Sequence, residues 1–266
     1  MIIFSIVTVT YNAGDVIRPT LESVEQQDYP DLEHIIIDGA SKDNTLAVVN
    51  EYAEKTKQNF PENRVVKIVS EPDKGIYDAM NKALRLVTGD YVCFLNAGDR
   101  FPTADTLSRV AATAEGAADG QTPAVLYGDT DIVDSEGNFL AHRHLSPPDN
   151  LTWRSFRHGM LVCHQAFYAR ADIARKVKYD TSLRLSADVD WCIKIMREAD
   201  TQGLRTRRVP TVIAHYLQEG QTTQNHRKSL MERFTVMRRH YGLPSTIAMH
   251  LYFIPRAITR KLKRGK

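Results

Sequence analysis

Four short segments of the 266-residue chain hold side chains that could act together. Thr10-Tyr11-Asn12 offers an aromatic ring flanked by hydrogen-bonding groups. Asp38-Gly39-Ala40-Ser41 offers a carboxylate at a turn. The run from Ser70 to Gly75 carries two acids and Lys74, and Gly75 would allow a close backbone approach. Asn96-Ala97-Gly98-Asp99 offers one amide and one carboxylate. An aromatic ring can stack on a nucleobase, and a carboxylate can accept from a base N–H or a ribose hydroxyl. A carboxylate can also hold a divalent metal against a diphosphate. The set therefore fits a nucleotide diphosphate bound with a metal ion, and Lys74 could approach the phosphates.

Each of these segments follows a short apolar run. The runs are Ile2–Val9, His34–Ile37, Val65–Val69 and Tyr91–Leu95. They are rich in Ile and Val and nearly continuous, as strands buried on both faces are, which predicts a parallel sheet. Amphipathic helical patterns lie between them: Val16, Leu21, Val24; then Leu46, Val49, Ala53; then Ile76, Met80, Ala83, Leu84, Val87. Asp15 and Asp43 are expected helix caps, and Thr88-Gly89 a helix stop. The alternation means βαβ units, whose ligands bind outside the carboxyl ends of the strands. The second half is less regular. Ala124–Tyr127 reads as a strand, and Thr130–Val133 with Phe139–His142 as a hairpin. A helix is expected from Ser186 to Ala199 and a late strand over Arg208–His215. Two helical patterns close the chain, at about 226–241 and 245–264, separated by Gly242-Leu243-Pro244.

Composition excludes several classes. Hydrophobic residues at 42% and charged residues at 25% are globular values, which rules out wholesale disorder and collagen-like structure. No GxGxxG follows the first run and no GxxxxGK[ST] occurs, which argues against a dinucleotide dehydrogenase and a P-loop NTPase. Cys93, Cys163 and Cys192 form no CxxC or zinc spacing and read as reduced thiols of a cytoplasmic protein. The opening MIIFSIVTVTYN lacks the basic region and cleavage site of a signal peptide, and no run of 18 apolar residues exists. From Arg227 onward there are eleven Lys/Arg against one acid, Glu232, while the whole chain is only +3. An acidic body with a basic tail points to an anionic surface as the tail's partner. Nucleic acid is not an expected partner.

The segment SIVTVTYNAGDVIRPTLESVEQQDYPDLEHIIIDGASKDNT resembles the start of the family-two glycosyltransferases, which have the GT-A fold. EPDKGIYDAMNKALRLVTGDYVCFLNAGD resembles their next block, and SADVDWCIKI is similar to their catalytic block. The resemblance implies an α/β GT-A-like fold, a mostly parallel sheet flanked by helices. It implies a catalytic domain over 1–225, with a nucleotide-binding half (1–100) and an acceptor half (101–225), and a basic helical extension over 226–266. The implied activity is inverting transfer of a sugar from a nucleotide diphosphate sugar, UDP-linked by preference. The implied acceptor is a saccharide, lipid-linked in many such enzymes, in bacterial surface polysaccharide synthesis. Tyr11 matches the base-stacking position, with Thr10 and Asn12 beside it. Asp38 matches the nucleoside-contacting acid; the adjacent position, often a second acid, is Gly39 here. Lys74, Asn96 and Gly98 fall among the nucleotide-sugar-binding positions. Asp99 is the one carboxylate left in the metal motif, for Mn2+ or Mg2+. Asp188 matches the catalytic base. His164, Gln165 and Asp190 are weaker candidates on the acceptor side. The QxxRW signature of processive members is absent, so one sugar per encounter is expected.

Two further classes stay open at this level. A binding or scaffold protein that has lost catalysis is favoured by the altered Asn96–Asp99 motif. A nucleotidyltransferase would open with a glycine-rich basic loop, which Thr10–Asp15 is not. The tail combines Ile247, Leu251, Phe253, Ile254 and Ile258 with Arg256, Arg260, Lys261, Lys263, Arg264 and Lys266. Such a segment can lie in a membrane interface, and Pro255 would interrupt any helix in it. The expected location is cytoplasmic, peripheral on the membrane face.

Overall fold

The computed structural model describes residues 1–60, 62–116, 120–218 and 226–252. An eight-stranded sheet forms its centre. Its parallel half runs β3 (Arg64–Ser70), β2 (Leu32–Asp38), β1 (Phe4–Thr10), β4 (Tyr91–Phe94). All residues of β1, β2 and β4 are buried, which is why their sequences are mainly apolar with no alternation, the buried Ser5, Thr8, Thr10, Glu33, His34 and Asp38 being the polar exceptions. Helices α1 (Ile17–Glu25), α2 (Thr45–Asn59) and α3 (Ile76–Leu84) make the crossovers. Ile17, Leu21, Val48, Val49 and Tyr52 form one cluster with Ile36 on one face, while α3 packs Met80 and Ala83 into the main core. α4 (Thr106–Glu115) follows β4.

Beyond β4 the sheet turns antiparallel. β7 (Phe167–Arg170) lies between β4 and β5 (Val125–Val133), antiparallel to both. β6 (Phe139–His142) pairs antiparallel with β5, and β8 (Thr206–Leu217) pairs parallel with it on the other side. The sheet is thus mixed. The expected strands at Ala124–Tyr127 and Thr130–Val133 are one strand, Val125–Val133, carried through a register shift near Gly128 against β8. β7 has only four residues and follows a short 3-10 turn, so it leaves little sequence pattern. α5 (Ala171–Ala174), α6 (Ala187–Thr201) and α7 (His226–Tyr241) complete the chain, and residues 243–252 are again helical. Val236 of α7 is fully buried in the core cluster, so this basic helix packs on the body.

Several expected caps are corrected. α1 begins at Ile17 after Val16, with no side-chain cap, and Asp15 is exposed. Asp43 does accept from the Thr45 N–H (3.0 Å), but the cap position is Asn44, and Asp43 also takes the Gly14 N–H (3.0 Å). α3 stops at Leu84, ahead of Thr88-Gly89, whose N–H groups bind the buried Glu33 carboxylate instead (2.6 and 3.2 Å).

A buried polar chain crosses the parallel half. Thr8 Oγ1 donates to the Leu95 carbonyl (2.8 Å) and accepts from His34 Nε2 (2.9 Å). His34 Nδ1 then accepts from the Tyr52 hydroxyl (2.8 Å). Burial pushes His34 down to about 3, so the imidazole is neutral, and this single tautomer satisfies all three bonds. The chain fixes the end of β4, where Asn96–Asp99 begins.

Candidate active site

At the carboxyl end of β1, Thr10 is buried while Tyr11 is 62% exposed. Asn12 is left-handed (φ 47°), a region Asn enters more readily than most residues. Its N–H donates to Ser41 Oγ (2.8 Å) and its side-chain oxygen accepts from the Lys42 N–H (2.8 Å). The β1 and β2 ends are thereby tied together.

Asp38 is fully buried. Its carboxylate accepts from the Ser41 N–H (3.0 Å), the Ser41 hydroxyl and the Ser70 hydroxyl (2.6 Å). Ala40, in the same turn, is left-handed (φ 62°), which costs about 1–2 kcal/mol for a residue with a Cβ. The bonds to Asp38 offset that cost, so this acid holds the turn's shape. Position 39 explains more. A Cβ on Gly39 would lie 2.7 Å from Asp73 Oδ2 and 3.2 Å from the Tyr11 ring. The Asp73 carboxylate thus converges with Tyr11 on the space a side chain at 39 would fill. Sequence reading missed Asp73, since it lies 34 residues from Gly39 along the chain; a glycine where an acid is usual was the available signal. The loop is held firmly: Asp73 Oδ1 accepts the Gly75 N–H (2.9 Å) and Lys82 Nζ donates to the Pro72 carbonyl (2.8 Å). Gly75 is left-handed (φ 118°) and precedes α3. Lys74 is exposed, and its carbonyl accepts from Arg184 (3.0 Å).

After β4, Gly98 is left-handed (φ 98°), buried, and bonded through its N–H to Thr20 Oγ1 (2.9 Å). Asp99 is 4% exposed. Gln165 Nε2 donates to one of its oxygens (2.7 Å) and the Leu217 N–H to the other (3.1 Å). Burial raises Asp99 to about 6 against these donors. Gln165 therefore stands beside Asp99. Among the described residues no three His, Cys, Asp or Glu side chains converge on a metal site. Asn96 Oδ1 and Gln165 Oε1, however, are buried without partners near this carboxylate. Hard oxygen atoms of this kind suit Mg2+ or Mn2+, with diphosphate and waters completing the shell.

Asp188 stands in the first turn of α6, its side chain 16% exposed. Tyr77 donates to Oδ1 (3.2 Å) and His164 Nδ1 lies 3.5 Å from Oδ2. The rings of Tyr77, Tyr179 and Trp191 stack in sequence behind it (5.7 and 4.9 Å between centroids) and fix the hydroxyl. Burial pushes the Asp188 carboxyl up, but the His164 contact and the positive Arg233 outweigh it and hold it below its ordinary value. Asp188 is thus ionised at neutral pH. His164 Nε2 also meets Asn96 Nδ2 (3.0 Å), joining the β4 end to α6. Asp190 points elsewhere. It is fully buried, with Lys194 Nζ at 2.5 Å and His240 Nε2 at 2.8 Å. Two residues span roughly 200° of helix, so it clamps α7 to α6.

A cavity of about 510 Å3 lies at the other end of the sheet, lined by Asp90, Tyr91, Arg170, Asp172 and Arg175. Arg170 and Asp172 are already paired there (2.6 Å). The catalytic candidates instead gather at the carboxyl ends, as a parallel sheet dictates.

A parallel half-sheet with its ligand groups at the strand ends, extended by antiparallel strands that bring in His164, Gln165 and Asp188, defines a GT-A-like glycosyltransferase fold. The chain belongs to glycosyl transferase family 2, whose description it matches over residues 5–177. A PGL/p-HBAD biosynthesis glycosyltransferase of Mycobacterium tuberculosis is 32% identical over 218 residues, covering 82% of this chain and 77% of that one. The crystal structure of S. aureus TarS with UDP-GlcNAc superimposes with TM-score 0.68 at 21% identity, covering 89% of this chain and 64% of that one. A mannosyltransferase of Pyrobaculum calidifontis, solved with GDP-Man and Mn2+, gives 0.60 at 20% identity, covering 98% and 79%. Identities this low show the fold alone. No described helix is long and apolar enough to cross a membrane.

Proposed function

We propose that this glycosyltransferase moves one sugar per encounter from a UDP-sugar to a saccharide acceptor, with inversion. The observation that carries the reading is the ionised, partly exposed Asp188 facing the strand ends. The acceptor hydroxyl attacks the anomeric carbon as the C1–O bond to the diphosphate breaks. Its proton passes to Asp188, and the diphosphate leaves with the bonding electrons. Tyr11 stacks on the base, with Thr10 and Asn12 shaping the loop around it. Lys74 approaches the phosphates. A Mg2+ or Mn2+ ion held by Asp99, with Asn96 and Gln165 oxygens nearby, would supply positive charge against the departing diphosphate. The test is transfer from a panel of nucleotide sugars with and without Mn2+, with the product anomer read by NMR. A retained anomer would overturn the inverting assignment.

The second reading is a protein that binds nucleotide sugars without turnover. The two protein donors already on Asp99 favour it. Tight UDP binding without transfer or hydrolysis would decide for it.

Asp73 reads the base edge in this scheme, because its free oxygen stands beside Tyr11. Asp73→Asn is expected to weaken UDP binding about 10–100-fold, the range for a bond to a charged acceptor. Gly39→Asp alone should clash, and combined with Asp73→Ala it should recover binding. Titration calorimetry measures both; UDP affinity unchanged in Asp73→Asn would take Asp73 out of the site.

We also propose a lipid-linked acceptor in surface polysaccharide synthesis, reached by docking on the cytoplasmic membrane face. Leu230, Met231, Ile247, Leu251 and Tyr252 are exposed apolar side chains on the C-terminal helices. Phe253, Ile254, Pro255, Ile258 and the cationic cluster from Arg256 to Lys266 lie outside the described residues. Each cation near an anionic leaflet is worth about 1 kcal/mol. A chain ending at Leu243 should pellet with anionic liposomes far less than the full chain, and high salt should release the latter. Equal pelleting would remove the tail from the mechanism.

A further inference from the structure

Three side chains from distant parts of the chain meet in one line. Asn96 follows β4, His164 opens the 3-10 turn before β7, and Asp188 starts α6. His164 Nε2 lies 3.0 Å from Asn96 Nδ2, and Nδ1 lies 3.5 Å from Asp188 Oδ2. The His164 side chain is only 12% exposed, so protein contacts set its orientation.

Proton bookkeeping makes the line directional. An amide nitrogen only donates, so His164 Nε2 accepts and the ring proton sits on Nδ1, facing the Asp188 carboxylate. Asn96 Oδ1 is then left buried and without a partner among the described residues, an acceptor whose demand a hydroxyl of a bound donor would meet. Turning the amide would present Oδ1 to Nε2–H instead. A neutral ring would then aim a bare Nδ1 lone pair at the carboxylate, which is repulsive. The amide's orientation thus selects the tautomer, and the tautomer decides whether Asp188 receives a proton donor. A contact of 3.5 Å shortens to a hydrogen bond with a small ring rotation, as such contacts do when substrate binds. Tyr77 holds the other carboxylate oxygen, and the nearby Arg233 guanidinium adds positive charge.

We propose that His164 is a positioning residue: it links the donor-side amide of Asn96 to the base Asp188, so that a donor hydroxyl on Asn96 Oδ1 fixes the imidazole that aims the carboxylate. This rests on Asp188 being the base. The two ideas fail separately. An active Asp188→Asn removes the base, whereas an inactive Asp188→Asn beside a fully active His164→Ala removes only the positioning role.

The experiment compares the native chain, His164→Ala and His164→Gln, the second holding the volume if alanine disturbs folding. UDP affinity, donor KM and kcat are measured for each. The expected result is unchanged UDP affinity and KM in both variants, with kcat lowered on the order of 10–100-fold, as for other groups that orient a reacting one. Added imidazole should restore kcat in His164→Ala, because it refills the site with the same donor. A His164→Ala that folds but keeps native kcat, or loses it beyond recovery by imidazole, overturns the proposal. If alanine does not fold, native kcat in His164→Gln overturns it and a selective kcat loss there supports it.

Discussion

Asp188→Asn is expected to bind UDP as tightly as the native chain and to turn over on the order of 10²–10⁴-fold more slowly, the usual cost of losing a general base. The carboxylate contributes only as the acceptor oxygen sheds its proton. Its removal therefore lowers kcat without weakening ground-state binding. Asn keeps the volume and its one amide oxygen can still accept from either Tyr77 or His164, so the packing around α6 should persist. The structure also sets a pH expectation. Asp188 lies below its ordinary value, held there by the His164 contact and Arg233 against burial. The base is then ionised throughout the neutral range, and kcat should not fall between pH 7 and roughly pH 5 through this group. Steady-state kinetics with calorimetry decides. Turnover within a few-fold of native would place the base elsewhere, and Asp190 could not replace it, being buried and ion-paired with Lys194.

Asp99→Ala is expected to abolish the part of donor affinity that depends on a divalent ion. It is the one carboxylate in the Asn96–Asp99 motif, and the diphosphate charge would go unneutralised without it. Asp99→Asn tests the charge, since an amide keeps an oxygen toward the Leu217 N–H while the Gln165 amide turns its unpartnered Oε1 to the new NH2. Burial raises the Asp99 carboxyl to about 6, so between its ordinary value and 6 the folded chain holds a proton that the unfolded chain has released. An ion needs the carboxylate ionised. Metal-dependent UDP affinity should therefore rise with pH through about 6 and level off above it. The same raised value makes ionised Asp99 a cost to folding, one that grows as pH rises from its ordinary value to 6 and is fully present above. Asp99→Asn should remove that pH dependence of stability. Titration of UDP with Mn2+ across pH, with thermal melting alongside, checks both. Equal affinity in the native chain and Asp99→Ala would sink the metal assignment and favour the binding-protein reading.

Burial on both faces made the parallel half legible. Phe4–Thr10 and Leu32–Asp38 show no polar–apolar alternation because nothing in them meets water, and that lack of alternation survives in one dimension. β7 was not legible, since four residues between a 3-10 turn and a short helix carry no period. The mixed order β4-β7-β5 depends on which chain segments find each other, which hydrophobic pattern does not encode.

By itself the sequence put polar and acidic side chains at four strand ends and pointed to Tyr11, Asp38, Asp99 and Asp188 as candidates. Residue type and order along the chain suffice for that, because a parallel sheet puts every carboxyl end on one side. Only the tertiary structure decided how those groups are used. Asp38 turned inward to hold its own loop, and Asp73 came up beside Tyr11 into the space Gly39 leaves. Gln165 went to Asp99, Asp190 to α7, and His164 into the gap between Asn96 and Asp188. The physical reason is range. Hydrogen bonds between groups tens of residues apart form where packing brings them, and each carboxylate's partners, burial and charge state follow from that packing.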